Sequence, residues 1–318
     1  MPKDYLHNHK DFKDLLRILE EETQILAGLI EKDYWIMHVL YGLKKQGFEF
    51  ELKGGTSLSK GFKIIDRFSE DIDIHIKPPI ELKIDEDPNN NKKGNVESRK
   101  QFYDWLAESI IIDGIISIER DTAFDDSKNY RSGGIRLKYE STTTNIEGVK
   151  EGILLEAGFD TVTPNSRIHL TSWAFDKAIG LSTIDIIDNT ANEIACYNAG
   201  YTLVEKLQTI ATKFRQEQVD GKKKPNYMRQ YYDVYCLLKN KDVLAFIGTP
   251  EYSAHKNIRF PKQDLAIPIA ENEAFLLSST ELRNEFKKRY QATAKLYYKG
   301  QPDFDEIIDT IKMYTNDL

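Results

Sequence analysis

The stretch that most constrains this chain runs from Leu52 to Ile76, LKGGTSLSKGFKIIDRFSEDIDIHI. Its last six residues, Asp71-Ile72-Asp73-Ile74-His75-Ile76, alternate strictly between polar and apolar. Period-two alternation predicts a half-buried strand, because successive side chains point to opposite faces of a sheet. Ile72, Ile74 and Ile76 then face a core, and Asp71, Asp73 and His75 share the other face. Two carboxylates two residues apart on one face repel, and a cation between them relieves the repulsion. Oxygen-only donors at that spacing suit Mg²⁺, which binds through one or two carboxylates plus substrate phosphates. Upstream, Gly54-Gly55-Thr56-Ser57 reads as a turn offering backbone N–H groups, hydroxyls and the start of a helix. A phosphate cradle followed by metal carboxylates is the order a nucleotide-transfer site requires.

Gly-Gly alone is usually only a turn. Here Thr56, Ser57 and Ser59 crowd the expected helix start and Lys60 follows. An ordinary N-cap needs one hydroxyl, so the excess favours phosphate binding. The P-loop pattern and the kinase motifs are absent.

Gly-Gly-Thr-Ser-Leu-Ser-Lys, followed by Arg67-Phe68-Ser69-Glu70-Asp71-Ile72-Asp73, resembles the signature of the AbiEii/AbiGii-type nucleotidyltransferases. These are toxins of bacterial type IV toxin–antitoxin and abortive-infection systems, within the DNA polymerase β-like nucleotidyltransferase superfamily. The resemblance extends from Glu31 to about Leu238, with gaps. It implies a metal-dependent transfer of NMP from NTP to an acceptor such as tRNA, Mg²⁺ or Mn²⁺ as cofactor, and a cognate antitoxin protein as partner.

Composition agrees with a soluble protein. The chain has 318 residues, 40% of them hydrophobic and 30% charged, and a mean hydropathy of −0.52. That is enough for one large or two ordinary domains. No run approaches the roughly 18 apolar residues of a membrane span, and the N-terminus lacks a signal-peptide core. Cys196 and Cys236 make neither a disulfide framework nor a zinc site. A cytoplasmic location without membrane association is expected. The net charge of −7 disfavours a general nucleic-acid coat protein and leaves room for a local basic patch.

Along the chain, helices are expected over 12–29 and from Asp33 to Gly47, where Trp35, Ile36, Val39, Leu40 and Leu43 recur at helical spacing. Glu31-Lys32-Asp33 reads as the charged N-terminal turn of that second helix. Strands are expected at 48–53, 115–119, 134–140 and 152–159, with helices at 58–65 and 96–112. After Pro164 the character changes. Helices follow at 201–214, 227–238, 281–298 and 304–314, and 248–279 is weakly patterned. The fold class is α+β: a polymerase β-like nucleotidyltransferase sheet with flanking helices over 1–165, then a mainly helical C-terminal domain over 166–318. The nucleotide is expected in an interdomain cleft.

Glu156 is a carboxylate in the middle of an apolar strand, and such groups are seldom buried unpaired. Its residues alone allow an ion pair with Arg136 or Lys138; the resemblance makes it the third metal carboxylate beside Asp71 and Asp73. Arg67 is either a partner of Glu70 or Asp66, or a phosphate ligand of the kind a guanidinium suits. His75 is read as a neighbour of the aspartates. Lys206 and Asp233 match the family's later lysine and aspartate motifs, although Val234 stands where the family usually has leucine. By sequence alone Lys206 is a solvated helix lysine and Asp233 a partner of Arg229; the resemblance makes both catalytic. Gly54, Gly55, Thr56, Ser57, Lys60, Arg67 and Lys206 are the expected nucleotide-binding residues. Lys222-Lys223-Lys224 near Tyr227, Tyr231 and Tyr232 could form an RNA-end surface. A nucleotide- or RNA-binding module without transfer, and a small-molecule nucleotidyltransferase, stand as alternatives.

Overall fold

Strand β2, Asp71–Ile76, alternates half-buried and buried along its length, and Ile72, Ile74 and Ile76 are fully buried. It lies centrally in a mixed seven-stranded sheet of order β3-β4-β5-β2-β1-β7-β6. The computed structural model describes residues 3–144, 146, 148–159, 163–181, 185–224 and 227–318. The other strands are β1 (Phe50–Lys53), β3 (Ile115–Arg120), β4 (Ser132–Tyr139), β5 (Ile153–Gly158), β6 (Asn165–Leu170) and β7 (Ala191–Tyr197). β1 runs antiparallel to β2, and β2 runs parallel to β5. The helices of this unit are α1 (Phe12–Thr23), α2 (Ala27–Lys45), α3 (Gly54–Thr56, continued to Gly61 by a π turn), α4 (Lys93–Ser109) and α5 (Trp173–Gly180).

The chain divides into two units. One holds the residues up to Gly61 and Phe68–Tyr197; the other holds Phe62–Arg67 and Asn198–Leu318. The expected boundary at 165 therefore falls inside the first unit. β6 pairs antiparallel with β7, and β7 pairs parallel with β1, so both strands complete the sheet. Neither alternates cleanly in sequence, which hid them. The first helices also shift. α1 ends at Gln24, whose φ of 60° is left-handed, and α2 begins at Ala27. Glu31, Lys32 and Asp33 therefore lie within the helix body, and all three are buried. The helix expected at 58–65 starts at Gly54 and stops at Gly61, where the chain passes into the second unit.

The second unit is helical. α6 (Ala199–Asp220) and α7 (Arg229–Leu237) carry its centre. α8 (Lys241–Phe246), α9 (Pro250–Arg259), α10 (Lys262–Leu265), α11 (Glu273–Leu276), α12 (Thr280–Gln291) and α13 (Phe304–Tyr314) follow. The stretch 248–279 is thus helical in pieces: α9 has Thr249 as N-cap, accepting from the Tyr252 N–H, with Pro250 at its first position. Tyr227, Tyr231, Phe286 and Phe304 stack edge to face in the core. Tyr227, Tyr231 and Tyr232 are buried, and Tyr231 donates to the Ala274 carbonyl. They offer no surface to RNA bases, and the expected aromatic RNA platform is absent there. Lys223 and Lys224 pair with Glu285 and Asp220.

Candidate active site

The sheet register assembles one row of charged side chains. Lys53 on β1 is opposite Asp73 on β2, and Asp73 is opposite Glu156 on β5. Directly paired residues present their side chains to the same face. Glu156 is itself opposite Gly134 on β4, so no side chain faces it from that strand. Arg136 and Lys138, the partners considered for it, bind Asp121 and Glu119 instead. Burial pushes the Glu156 carboxyl up to about 8, and the charges of Asp73 and Asp71 push in the same direction. Lys150 and Lys53 pull the other way. The structure thus brings Asp71, Asp73 and Glu156 into one electrostatic neighbourhood, and adds Lys53 and Lys150 to it.

The glycine turn fits tightly behind this row. Gly54 has a φ of +70°, and a Cβ there would stand 2.2 Å from Oδ2 of Asp73. Glycine is required twice, by backbone conformation and by space. The hydroxyls that follow are turned inward. Thr56 Oγ1 donates to the Asp71 carbonyl at 2.7 Å, and Ser59 donates to the Thr56 carbonyl at 3.4 Å. Ser57 is fully buried beside the Cys196 thiol. Of these hydroxyls, Thr56 ties the turn to β2 and Ser59 closes back on the turn itself. No side chain caps α3, and the Ser57 N–H already donates to the Gly54 carbonyl, so phosphate contact here would fall to backbone N–H groups of Gly54, Gly55 and Thr56.

Three consecutive buried charges on α2 hold the surroundings. Glu31 accepts from the Thr142 N–H at 2.7 Å, the Thr143 N–H at 3.2 Å and the hydroxyls of Ser141, Thr142 and Thr143. Lys32 donates to the Lys150 carbonyl; burial lowers its ammonium to about 8, against the pull of Glu70 and Asp71. Asp33 binds Lys60 at 3.0 Å and accepts from the Trp173 N–H at 2.9 Å. Burial raises the Asp33 carboxyl, and Lys60 opposes that rise most strongly. Lys60, expected to bind nucleotide, is held by Asp33 and lies 4.5 Å from the Trp173 ring centroid. The sequence carried a signal for this trio. Three consecutive charges span most of a helical turn, so in a helix flanked by Leu29, Ile30, Tyr34 and Trp35 they cannot all reach solvent. A polar pocket of about 170 Å³ adjoins them, lined by Lys32, Lys150, Ser141, Thr143 and Thr144 among others.

The remaining candidates meet in the second unit. Asp233 on α7 is fully buried, and both its oxygens are bound by Arg67, Nε at 2.6 Å and Nη2 at 2.7 Å. Lys206 on α6 approaches the same carboxylate at 3.0 Å. Burial alone would raise Asp233, but Arg67 and then Lys206 outweigh it and hold the carboxyl below its ordinary value. Asp233 is therefore the anion of a buried triad with Arg67 and Lys206. Arg67 also pairs by its backbone with Tyr297. Lys206 is not on a solvated face: its side chain is 12% exposed. His75 lies 3.8 Å from Glu51, its cross-strand neighbour.

Asp71, Asp73 and Glu156 offer only oxygen donors, and burial together with the neighbouring aspartates disfavours the charged form of Glu156 when no cation is near. That donor set fits a hard divalent cation. In their present rotamers no three acidic, histidine or cysteine side chains among the described residues converge closely enough to hold a metal ion.

A family profile described as "Nucleotidyl transferase AbiEii toxin, Type IV TA system" matches residues 38–310. The chain belongs to this family. The match includes the glycine turn, both strand aspartates, Glu156, Lys206 and Asp233. It begins after Glu31-Lys32-Asp33, where the resemblance was expected to start, and runs well past Leu238, where it was expected to end. No curated protein matches the chain significantly. Family membership implies nucleotidyltransferase activity and a cognate antitoxin. Among the described residues no helix is long and apolar enough to cross a membrane.

Proposed function

We propose that this AbiEii-family chain is a metal-dependent enzyme that transfers NMP from an NTP to an RNA acceptor such as tRNA, and that it acts in the cytoplasm. The observation that carries the reading is the row Lys53–Asp73–Glu156, with Asp71 beside it and Gly54 packed behind. The acceptor hydroxyl oxygen attacks the α-phosphorus, the bond to the β-phosphate breaks, and pyrophosphate leaves. Asp71, Asp73 and Glu156 would hold Mg²⁺ or Mn²⁺, which when bound supplies charge neutralisation and makes the acceptor hydroxyl more acidic. The protein's own part is positioning and electrostatic preorganisation. Backbone N–H groups from Gly54 to Thr56 donate to phosphate oxygens, and Lys53 offsets negative charge beside Asp73. In the second unit Lys206 is the least buried member of its triad. We keep for it the role that the family's lysine motif implies, with Arg67 and Asp233 orienting it.

The test is incubation of total RNA with each α-labelled NTP and Mg²⁺ or Mn²⁺, for wild type and Asp73→Ala. Labelled RNA from wild type alone supports the reading. NTP binding with no labelling by any nucleotide or metal would leave a binding module and reject the transfer.

A further inference from the structure

Asp71 already has a cation. The Lys150 ammonium lies 3.1 and 3.3 Å from its two carboxylate oxygens. The backbone of Lys150 is fixed on both sides: its N–H donates to Glu70 at 3.1 Å, and its carbonyl accepts from buried Lys32. The ammonium is also 4.5 Å from the Phe124 ring centroid. The side chains of Lys150 and Asp71 are 29% and 19% exposed, so water screens their attraction only in part. Lys150 therefore presents a positive charge on a flexible stem with an anchored root, aimed at one carboxylate of the row. Asp73 and Glu156 are in register with each other. The oxygens of Asp71 are turned to Lys150, in keeping with the lack of three converging donors among the described residues.

We propose that Lys150 is an internal counter-ion that a divalent cation displaces from Asp71, so that this lysine sets the metal affinity of the site without being a ligand. The proposal rests on the metal-site reading above. Without metal, the lysine relieves the repulsion among the three carboxylates and keeps Asp71 satisfied. With metal, Asp71 turns toward Asp73 and Glu156, and the ammonium is released toward the polar pocket it already borders. Lys150 is thus a positioning residue that competes with the metal for one carboxylate. A purely structural ion pair predicts the reverse, because its loss would loosen Asp71 and weaken the metal site.

The experiment titrates the metal-free full chain with Mn²⁺, without nucleotide, and follows the free ion by electron paramagnetic resonance. Lys150→Met should bind Mn²⁺ about fivefold more tightly than wild type, the fold-change expected on losing one partly exposed competing pair. Lys150→Arg keeps the charge and should bind as weakly as wild type. Lys150→Gln serves as a second neutral variant, and melting curves confirm that each is folded. Equal or weaker Mn²⁺ binding by both neutral variants overturns the proposal. If wild type and Asp71→Asn bind Mn²⁺ equally poorly, the metal-site reading itself fails and takes the proposal with it.

Discussion

A Cβ added to Gly54 would stand 2.2 Å from the Oδ2 atom of Asp73, well inside van der Waals contact. The glycine turn and the Asp-x-Asp strand are therefore one steric unit, and their separation in sequence is set by the length of α3 and the return to β2. Gly54→Ala should add about 1–2 kcal/mol of strain at φ +70° and push Asp73 out of register. Misplacing a reacting group by about 1 Å costs on the order of a hundredfold in rate. The labelling rate should fall by about that factor while the protein stays folded. A variant with wild-type rate would show that Asp73 needs no fixed position.

Glu156 gives the metal-free protein a distinctive response to pH. Its carboxyl is raised from 4.5 to about 8 by burial, then by Asp73 and Asp71. A raised folded pKa contributes stability that is fully present below the unfolded value, and that stability is lost as pH rises through the folded one. The loss falls between pH 4.5 and about 8. Glu156→Gln removes it, so the variant should melt above wild type at pH 8 and the gap should close toward pH 5. The same protonation should weaken Mn²⁺ binding by up to about tenfold per pH unit below 8, since a ligand carboxylate must first lose its proton. Parallel melting curves for the two proteins across this range would show that Glu156 is already ionised without metal.

Part of this site was legible in the sequence and part was not. The alternation of Asp71 to Ile76 placed the two aspartates on one face, and the single carboxylate in an apolar strand singled out Glu156. Both follow from the period of a strand. Register does not. Nothing local says that Lys53 faces Asp73, or that β7 adds beside β1, because pairing is decided by residues far apart in sequence. Lys150 lies in a loop with no periodic signal. The hydroxyls of Thr56, Ser57 and Ser59 were legible as a cluster, but whether they point at ligand or brace the turn depends on the neighbouring strand. Likewise Lys206 sat off the apolar stripe of α6, yet it faces a buried anion supplied by α7.

That anion yields a ranking of stabilities. Removing Asp233 leaves Arg67 buried without its bidentate partner, and uncompensated buried charges cost about 3–5 kcal/mol. Asp233→Ala should therefore be more destabilising than Lys206→Ala. Lys206→Ala leaves the Arg67–Asp233 pair intact and should cost less, about 1.5–3 kcal/mol, the range of a hydrogen bond to a charged group. Chemical denaturation of the two variants beside wild type measures this. Equal destabilisation would mean that Lys206 and Arg67 share the carboxylate evenly.

Growth of the expressing cell separates chemistry from folding. Family membership predicts that expression of this chain slows bacterial growth when the antitoxin is absent. Asp73→Ala removes a carboxylate from a crowded, half-buried row, so it relieves repulsion and should leave the fold intact. It should therefore restore growth while soluble protein remains at the wild-type level. Asp233→Ala should also restore growth, but through loss of soluble protein, because it strands the buried Arg67 charge. Measuring growth together with soluble yield for both variants distinguishes the two routes. If Asp73→Ala slows growth as much as wild type at equal yield, toxicity does not come from nucleotidyl transfer, and sequestration of a cellular partner would have to replace it.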